Sequence, residues 1–425
     1  MSKNLNIAIA GLGTVGANVA QRLLSHEADG LKLVAVSARE RNKERGFSLN
    51  GLEWHDNPLA FTEQDNIDIV VELIGGADGL AYELVKTALA RGKHVVTANK
   101  ALLAERGLEL AELAEKNQVS LAYEAAVAGG IPIIKTLREA LSWNKVTRIR
   151  GILNGTCNYI LSEMASKNVG FSETLKKAQE LGFAEADPSF DIEGIDAGQK
   201  LSLLASLAFG VKPEFEHVQI TGITNVSDKD FNYAKHFNCV IRLIALCEQT
   251  EDGVLQWVGP CLIPESEPLA HIQGVTNAVQ VDGDMVDSLM LQGPGAGGAA
   301  TASSVLADLQ DVARGALLPV FGKTVQNLEV MKAFHGLSPS QWYLRLSLID
   351  QTGSMAKVTS ILAENGVSIE EVIQKAPDNG DSTRPVIFIS HTAPIQAIEN
   401  ALKSLQSNDA IGDAVSVMPV MTSEH

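Results

Sequence analysis

The stretch NIAIAGLGTVGANVAQRLL, residues 6–24, decides the fold of the first part of this 425-residue chain. An apolar run typical of a buried strand leads into a glycine-rich turn, and apolar residues then recur at helical spacing at Val15, Val19 and Leu23. Residues 33–37 indicate a second strand. The stretch therefore predicts a βαβ unit with two parallel strands.

The alternation of strand and helix continues to residue 131. Apolar strands are expected within residues 67–76 and 94–97, a helix that closes at Gly92 lies between them, and a last strand follows another helix. Strands that alternate with helices form a parallel sheet with right-handed crossovers. The predicted class is α/β, with a Rossmann-like domain over residues 1–131.

The pattern changes over residues 132–334, where short strand candidates lie among long helices. This mixture predicts an α+β domain. Helices are expected at roughly 172–181, 195–210 and 229–248. A further helix follows the glycine-rich segment GPGAGG, and we expect about residues 299–320 to pack back on the first domain.

The last part of the chain follows a polar linker. HGLSPSQ, residues 335–341, contains proline and lacks periodicity. Residues 342–421 then show the order strand, helix, strand, strand, helix, strand, with a polar turn at 376–384. This order is the ferredoxin-like signature.

Composition excludes several classes of protein. With 45% hydrophobic and 20% charged residues, the chain is typical of a globular protein of two or three domains. A net charge of −17 without a basic cluster argues against nucleic acid as a partner, because phosphate binding needs grouped Lys and Arg. Neither an 18-residue apolar run nor a signal-peptide pattern occurs, so no membrane partner is expected.

The cysteines indicate a reducing compartment. They form no C-x-x-C pair, so a disulfide framework or a zinc site is not expected. A cytoplasmic protein with reduced thiols fits this pattern. The four residues are Cys157, Cys239, Cys247 and Cys261.

The glycine turn has the spacing G-x-G-x-x-G. In a dinucleotide site, the first glycine permits the tight turn, the second lets the backbone approach the pyrophosphate, and the third brings helix and strand together. A purely structural turn is the alternative, but the position between a strand and a helix favours a cofactor on the helix N-terminus. The candidate cofactor-binding residues are Gly11, Leu12, Gly13, Thr14, Val15 and Gly16.

The end of the second strand bears on the cofactor. An NAD-preferring site usually carries an acid there, whereas Ser37 and Arg39 suit the 2′-phosphate of NADP(H). We therefore expect NADP(H). NAD(H) is the alternative if Arg39 is a solvated loop charge and Glu40 binds the ribose.

Two lysines are candidates for chemistry. Lys100 follows the carboxyl end of a parallel strand, where such sheets bind ligands, although an isolated lysine is commonly a surface group. A helix that begins near Ile195 places Asp196 and Lys200 four residues apart on one face, next to an almost wholly apolar stretch. Such a pair suits proton transfer to an alkoxide. A buried ion pair that satisfies itself is the alternative.

Acidic residues crowd the segment before this helix. Glu185, Asp187 and Asp191 add to the charge of Asp196. Uncompensated acids around a buried helix destabilise a fold unless they meet cations. A ligand with an amino group would supply such a cation.

These segments resemble the homoserine dehydrogenase family over roughly residues 5–335. GLGTVG, NKALLA, YEAAVAGGIPIIKTLRE, GILNGTCNYIL and GPGAGGAATASSVLAD are similar to that family. The resemblance implies a monofunctional bacterial-type enzyme, since no kinase-like segment precedes the glycine motif. It would interconvert L-aspartate 4-semialdehyde and L-homoserine with NAD(P)H in threonine and methionine biosynthesis. The signature spacing is matched by Ala178, Gly182, Phe183, Ala184, Asp187, Pro188, Asp191, Ile192, Gly194, Asp196 and Lys200.

The resemblance also implies residue roles. Lys200 occupies the proton-donor position, and Lys100 matches a second catalytic or cofactor-contacting lysine; which of the two transfers the proton stays open. Glu185 matches the acid that holds the substrate amino group. Asp191 and Asp196 match acids around the substrate hydroxyl and the lysines.

Two loops are matched as well. YEAAVAGGIP resembles the family's monovalent-cation loop for Na or K, although a turn that needs small residues is the alternative. GPGAGG would place Gly297 near the nicotinamide, unless it is merely a flexible turn. Carboxylate and carbonyl oxygens suit hard cations. The implied metal ligands are Glu124 and the carbonyls of Val127, Gly129 and Ile131.

Residues 342–421 resemble an ACT domain, an amino-acid-sensing module. The usual proline before the turn glycine is replaced in DQTGSMAKV, while Gly353 keeps the turn. The implied effector is threonine. The alternative is a module that only strengthens the oligomer, since exposed sheet edges commonly pair between subunits. A homodimer or homotetramer is expected.

Two other functions compete with this interpretation. A semialdehyde dehydrogenase needs a nucleophilic cysteine, for which Cys157 is the tempting candidate, although it lacks an evident base. A non-catalytic NADP sensor would have no need for the proton-transfer groups Lys100, Asp196 and Lys200.

Overall fold

The fold is described from a computed structural model that covers residues 4–25, 30–374, 383–406 and 411–421. The polar turn predicted at 376–384 lies almost wholly outside the described residues. Within them, no helix has both the length and the hydropathy needed to cross a bilayer.

The first domain is built on a parallel sheet. Its strands are β1 Leu5–Ala10, β2 Leu31–Ser37, β3 Glu53–Trp54, β4 Ile69–Glu72, β5 His94–Thr97 and β6 Leu121–Ala122. The helices that join them are α1 Thr14–Ser25, α2 Leu80–Ala90 and α3 Lys100–Asn117. The six described strands have the order β3-β2-β1-β4-β5-β6, which reverses direction between β1 and β4 and so creates the crevice where such sheets bind dinucleotides. The predicted Rossmann-like sheet is confirmed.

The middle of the chain mixes strands and helices, as predicted. Its strands are β7 Val146–Ile152, β8 Gln219–Ile220, β9 Cys239–Gln249, β10 Val254–Pro264, β11 Thr276–Gly283, β12 Asp287–Pro294 and β13 Ala333–Phe334. Its helices are α4 Ile133–Lys135, α5 Gly155–Lys167, α6 Phe171–Glu180, α7 Ser189–Ile192, α8 Ile195–Phe209, α9 Asp228–His236 and α10 Gly298–Ala313.

The last part has the predicted ferredoxin-like order. Its elements are β14 Gln341–Ile349, α11 Ser354–Glu364, β15 Ile369–Gln374, β16 Thr383–Ser390, α12 Ile395–Gln406 and β17 Ile411–Val420. Gly353 adopts the left-handed conformation (φ 94°) that the turn into α11 requires, so the turn forms without the usual proline.

One large sheet joins the middle and last parts. The described strands have the order β12-β11-β7-β9-β10-β17-β14-β16-β15, and the short β8 and β13 also pair with β10. The junction is the parallel contact of Leu262 in β10 with Val420 in β17. This continuity was not predicted, because the pairing joins strands that are far apart in the chain.

The helix predicted at 229–248 is wrong beyond its first half. α9 ends at His236, Asn238 takes a left-handed φ of 52°, and β9 then begins at Cys239. β9 lies between β7 and β10 and is buried on both faces, so its apolar residues do not alternate with polar ones. Such a run does not distinguish a buried strand from a helix.

Helix α10 returns the chain to the first domain. It packs along α1, and a Cβ on Gly298 would come within 3 Å of Thr14 and Asn18. Beyond α10, the Tyr123 hydroxyl donates to the Val320 carbonyl at 3.0 Å. The first and middle parts of the chain are therefore in close contact.

The last part is fastened to α9 by a buried aspartate. Asp230 is fully buried and accepts hydrogen bonds from the Tyr343 hydroxyl at 2.8 Å and from Arg345 Nε at 2.6 Å and Nη2 at 3.2 Å. The same carboxylate accepts the Ser227 amide at 2.9 Å in a capping box. One side chain thus both starts α9 and anchors β14.

Candidate active site

The glycine turn is shaped for a dinucleotide. A Cβ on Gly11 would lie 2.4 Å from the Leu73 carbonyl oxygen, and one on Gly16 would lie 1.9 Å from the Gly11 carbonyl oxygen. Packing therefore demands glycine at both positions. A Cβ on Gly13, in contrast, would meet nothing within 4 Å. The open space at Gly13, beside the N-terminus of α1, fits a pyrophosphate.

The flanking residues of the turn differ in accessibility. Leu12 is buried in the core, so its backbone alone faces the crevice, whereas Thr14 is exposed and Val15 is half-buried. These residues open α1, whose first N–H groups lack partners within the helix. The predicted cofactor-binding residues therefore lie together at one edge of the sheet.

Arg39 lies just beyond the end of β2. Arg39 is exposed and has no hydrogen-bond or ion-pair partner among the described residues, and Glu40 beside it is exposed as well. Ser37 is buried, and its carbonyl accepts the Gly11 amide at 2.8 Å. Arg45 is bound to its own loop, since its Nη1 donates to the Lys43 carbonyl at 2.7 Å. The Arg39 guanidinium is thus available for a 2′-phosphate.

Lys100 is held by the start of α3. Asn99 caps this helix, because its Oδ1 accepts the Leu102 amide at 3.1 Å. Its Nδ2 donates to the Gly76 carbonyl at 2.7 Å, in the loop that follows β4. The first helical residue, Lys100, is thereby fixed at the carboxyl edge of the sheet.

Glu72 supports this edge and was missed by the sequence analysis. It is fully buried at the end of β4, and it accepts the amides of Ile74 at 2.7 Å and Gly75 at 2.9 Å and the Thr97 hydroxyl at 2.5 Å. Thr97 in turn accepts the Asn99 amide at 3.0 Å. An acid that ends an apolar strand at the ligand edge was the signal in the sequence.

Helix α8 fixes the second lysine. It is bounded by Gly194 and Gly210, whose left-handed backbone (φ 84° and 67°) favours glycine at a helix end. Residues 196–206 are all buried, and each buried leucine contributes about 2 kcal/mol. Asp196 and Lys200 therefore lie one turn apart on a buried helix.

The structure brings both lysines to one carboxylate. Lys200 Nζ lies 2.7 Å from Asp196 Oδ2, and Lys100 Nζ lies 3.1 Å from Asp196 Oδ1. Lys200 Nζ also donates to the Leu153 carbonyl at 2.7 Å. The Lys200 side chain is 11% exposed, whereas the Lys100 side chain is 30% exposed. Asp196 is therefore the central residue, or hub, of the site, and each of its carboxylate oxygens binds one lysine ammonium.

The charges of the lysines determine the state of Asp196. Burial opposes its ionisation, but the charges of Lys200 and Lys100 and the hydrogen bonds from Lys200 and Asn154 outweigh burial and lower its pKa to about 2. Asp196 is therefore ionised at neutral pH.

Asp191 lies next to this hub. Asn154 Nδ2 is 2.8 Å from Asp191 Oδ1 and 2.8 Å from Asp196 Oδ2. Burial raises the pKa of Asp191 and the charge of Asp196 adds to the effect, while the hydrogen bond from Asn154 opposes both. Asn154 was also missed by the sequence analysis.

The acids of the preceding loop do not share this environment. Asp187 is exposed and accepts the Ser189 amide at 3.1 Å and hydroxyl at 2.6 Å, which lower its pKa. The expectation that Asp187 needs a ligand cation is wrong, because solvent and Ser189 satisfy it. Glu185 is exposed, and none of the described residues pairs with its carboxylate. Phe190 places its ring centroid 5.3 Å from Lys100 Nζ.

Cys157 does not have the environment of a nucleophile. It is fully buried, and its Sγ donates to the Asp191 carbonyl at 3.2 Å. Burial, together with the charges of Asp191 and Asp196, raises the pKa of its thiol well above the usual value. A nucleophilic cysteine requires the opposite shift. The structure therefore argues against a semialdehyde dehydrogenase.

The predicted cation loop is buried and rich in oxygen. Glu124 is 1% exposed, and its carboxylate accepts the amides of Ile134 at 2.8 Å and Lys135 at 2.9 Å. The Gly129 carbonyl accepts the Ser304 hydroxyl at 2.7 Å, and the Ile131 carbonyl accepts the Ile133 amide at 2.8 Å. Each of these oxygens keeps a further lone pair.

The donor types of this loop suit a monovalent cation. No lysine or arginine side-chain nitrogen within the described part of the chain forms an ion pair with Glu124, and burial raises the pKa of Glu124. No group of three or more His, Cys, Asp or Glu side chains that could hold a metal is found in that part of the chain. A cation here would therefore depend on the backbone carbonyls, including that of Val127, together with Glu124.

GPGAGG is a packed segment rather than a flexible turn. The Gly130 amide donates to the Pro294 carbonyl at 3.0 Å, and a Cβ on Gly129 would lie 2.4 Å from the Gly295 carbonyl oxygen. The cation loop and this segment are therefore in direct contact. Gly297 has a φ of 111° and open space where a Cβ would stand, just before α10.

One groove lies away from these residues. It measures about 790 Å³ and is lined by the C-terminal end of α3 and by residues 317–328. None of the predicted site residues lines it. The catalytic candidates are found at the other end of α3.

Comparison with protein families identifies the same parts of the chain. Residues 132–310 match the homoserine dehydrogenase family, residues 11–124 match the NAD-binding domain of homoserine dehydrogenase, and residues 342–407 match the ACT domain. The chain is 40% identical to the homoserine dehydrogenase of Pseudomonas aeruginosa, over 97% of this chain and 98% of that protein.

Solved structures agree with this result. A homoserine dehydrogenase from Thiobacillus denitrificans is 37% identical, has a TM-score of 0.93 and covers 99% of both chains. A hyperthermophilic archaeal homoserine dehydrogenase in complex with NADPH is 28% identical, with a TM-score of 0.64 over 74% of this chain and 98% of that one. This chain therefore belongs to the homoserine dehydrogenase family of NAD(P)-dependent oxidoreductases and includes an ACT domain.

Proposed function

We propose that the chain interconverts L-aspartate 4-semialdehyde and L-homoserine with NADP(H), as a step toward threonine and methionine. The observation that carries this proposal is the position of Asp196, which joins Lys100 and Lys200 at the carboxyl edge of the dinucleotide-binding sheet. A sensor of NADP has no need for two ammonium groups on one buried carboxylate.

Lys200 is the proposed proton donor. An ammonium has three N–H bonds, and Lys200 uses two of them for Asp196 and the Leu153 carbonyl. The third is available for the substrate oxygen. When bound, NADP(H) would supply the hydride for the aldehyde carbon. Lys200 would protonate the oxygen on which negative charge develops.

Lys100 and Asp196 support this step. The exposed side of Lys100 adds positive charge beside the reacting oxygen, and Asp196 orients both ammonium groups. In the direction of oxidation, the neutral amine of Lys200 accepts the hydroxyl proton and becomes the ammonium. The role of Lys100 is electrostatic in this scheme, because its ammonium is the more solvated of the two.

The acids are assigned to the substrate. Glu185, at the outer, exposed side, would bind the amino group of the amino-acid substrate, and Asp191 would bind its hydroxyl. Glu124, Val127, Gly129 and Ile131 would hold Na or K, which would stiffen the loop that contacts GPGAGG and Gly297.

Arg39 supports the preference for NADP(H). It is exposed at the end of β2 and is unpaired within the described residues, so it can bind a 2′-phosphate. The archaeal relative solved with NADPH agrees with this choice.

The ACT domain is proposed to bind threonine and to regulate the reaction. Its first strand is anchored to α9 through Asp230, and α9 contacts α5, whose cap residue Asn154 binds Asp191 and Asp196. A shift of β14 can therefore be transmitted through α9 and α5 to Asp191 and Asp196. We also propose a cytoplasmic homodimer or homotetramer.

The function is tested by homoserine-dependent reduction of NADP in the purified protein. Turnover with homoserine, and none with amino acids that lack the hydroxyl, is expected; no reduction would reject the proposal. The same assay with NAD, on the wild type and on Arg39→Ala, tests the cofactor preference. We expect Arg39→Ala to lose about tenfold in kcat/KM with NADP and little with NAD. Added threonine tests the ACT domain, and added Na or K tests the cation loop.

A further inference from the structure

Asn154 is the point at which the two buried acids of the site meet. Its Oδ1 accepts the Cys157 amide at 2.8 Å and so caps α5. A backbone N–H can only donate, so the oxygen must face it and the NH2 group must face the carboxylates. Each hydrogen of that NH2 group then serves one acid, at 2.8 Å from Asp191 and 2.8 Å from Asp196.

The two acids have unequal support apart from this amide. Asp196 has an ammonium on each oxygen, whereas no lysine or arginine within the described residues forms an ion pair with Asp191. The titratable groups that face Asp191 are the carboxylate of Asp196, the ammonium of Lys200 and the buried thiol of Cys157. Two carboxylates at close range repel each other.

We propose that Asn154 is a positioning residue for the reaction, whose amide holds the carboxylates of Asp191 and Asp196 together so that both act on one substrate. This inference rests on the proposed function. Asn154 is 4% exposed, and its partners belong to α7 and α8. Its amide is therefore a fixed link between the acidic loop and the lysine helix.

The two hydrogen bonds from the Asn154 amide, called the bridge, affect the protonation of Asp191. The hydrogen bond from Asn154 opposes the effect of burial on the pKa of Asp191. The substrate hydroxyl donates its hydrogen bond to the ionised carboxylate, so Asn154 favours the form that binds. Without the bridge, Asp191 would take up a proton at a higher pH.

The Asn154→Asp variant removes the hydrogen bonds to Asp191 and Asp196 but keeps the cap of α5. Aspartate caps a helix as well as asparagine does, so α5 keeps its start, but a carboxylate cannot donate to two acids. Asn154→Ser is a second variant, which also caps and adds no charge, and it keeps the test valid if the aspartate variant fails to fold.

Asn158→Ala is the matched control. Asn158 lies one turn later in α5 and is 1% exposed, but its amide donates to backbone carbonyls, among them that of Gly274 at 3.0 Å. Loss of the Asn158 amide should lower the free energy of unfolding without changing the hydrogen bonds of Asp191 and Asp196. We expect its KM for homoserine and its pH profile to equal those of the wild type.

The expected result is a rise in KM for homoserine of at least tenfold in both Asn154 variants, with the KM for NADP within about twofold of the wild type. The acid limb of the kcat/KM profile should move to higher pH, while Asn158→Ala keeps it in place. A KM and an acid limb equal to the wild type in both variants would make Asn154 a helix cap only. A wild type that does not reduce NADP with homoserine would overturn the proposed function and this inference together.

Discussion

Asp196 and Asp230 are both buried aspartates in the first turn of a helix, yet they have different partners. Asp230 is bound by the fork of Arg345 and by the Tyr343 hydroxyl, and it is fully buried. Asp196 is bound by Lys100 and Lys200, and Lys100 is partly open to solvent.

These partners distinguish a structural ion pair, Asp230 with Arg345, from a catalytic one. The catalytic one, Asp196 with Lys100 and Lys200, is called the chemical pair. A guanidinium stays charged at all accessible pH values and its planar fork fixes the geometry, so the Asp230 pair suits a permanent junction between domains. An ammonium is a single charged centre that can give up a proton. Burial alone does not identify an active site; the type of cation and its access to solvent do.

The largest expected effect is on the chemical pair. Lys200→Ala should lower kcat about 10³-fold, which corresponds to about 4 kcal/mol, because no other group can protonate the substrate oxygen from the same position. The binding of NADPH, measured by fluorescence titration, should stay within about threefold of the wild type. Loss of less than tenfold in kcat would remove Lys200 from the mechanism.

Asp230→Asn should give the converse result. The buried Arg345 then lacks its counter-charge, which costs about 3 kcal/mol in the free energy of unfolding. Urea unfolding measures this loss, and kcat per folded molecule should remain close to the wild-type value. If instead stability were unchanged and kcat fell, the roles of the two pairs would be reversed.

Acid should weaken the chemical pair in a defined pH range. The pKa of Asp196 is depressed from 3.8 to about 2, so its contribution is complete above pH 3.8 and is lost as the pH falls through 2. The difference corresponds to about 2 kcal/mol, of which about half is lost by pH 3. As the pH falls from 6 to 3, the difference between the unfolding free energies of the wild type and Asp196→Asn should therefore shrink by about 1 kcal/mol.

The smallest effect is expected from Arg345→Lys. A lysine keeps the charge beside Asp230 but loses the second hydrogen bond of the fork, so stability should fall by about 1 kcal/mol. The measurement is the midpoint of urea unfolding, with kcat unchanged as the control. The reciprocal change, Lys200→Arg, should instead keep stability and lose turnover, because arginine does not release its proton.

Local patterns predicted much of the fold. The glycine turn, the parallel sheet and the ferredoxin-like end follow from residues close in sequence, and so does the Asp196–Lys200 pair on α8. The helix expected through residue 248 was wrong because a strand buried on both faces has no alternation.

Contacts distant in the chain set the limit of sequence prediction. Asn154 binds acids 37 and 42 residues away, and Asp230 binds an arginine 115 residues away. No local pattern marks such partners. At Asp187 the sequence suggested a distant partner that is not needed. Asp187 was expected to need a cationic ligand, but its neighbour Ser189 donates a hydrogen bond to it.

The most direct test of the central claim is chemical rescue of the missing amine. Lys200→Ala is supplied with ethylamine at increasing concentration, with Lys100→Ala as the matched variant, and homoserine-dependent reduction of NADP is followed. We predict that turnover returns to Lys200→Ala in proportion to ethylamine and that Lys100→Ala gains nothing. Rescue of Lys100→Ala alone, or full activity of Lys200→Ala without any amine, would contradict the assignment of proton transfer to Lys200.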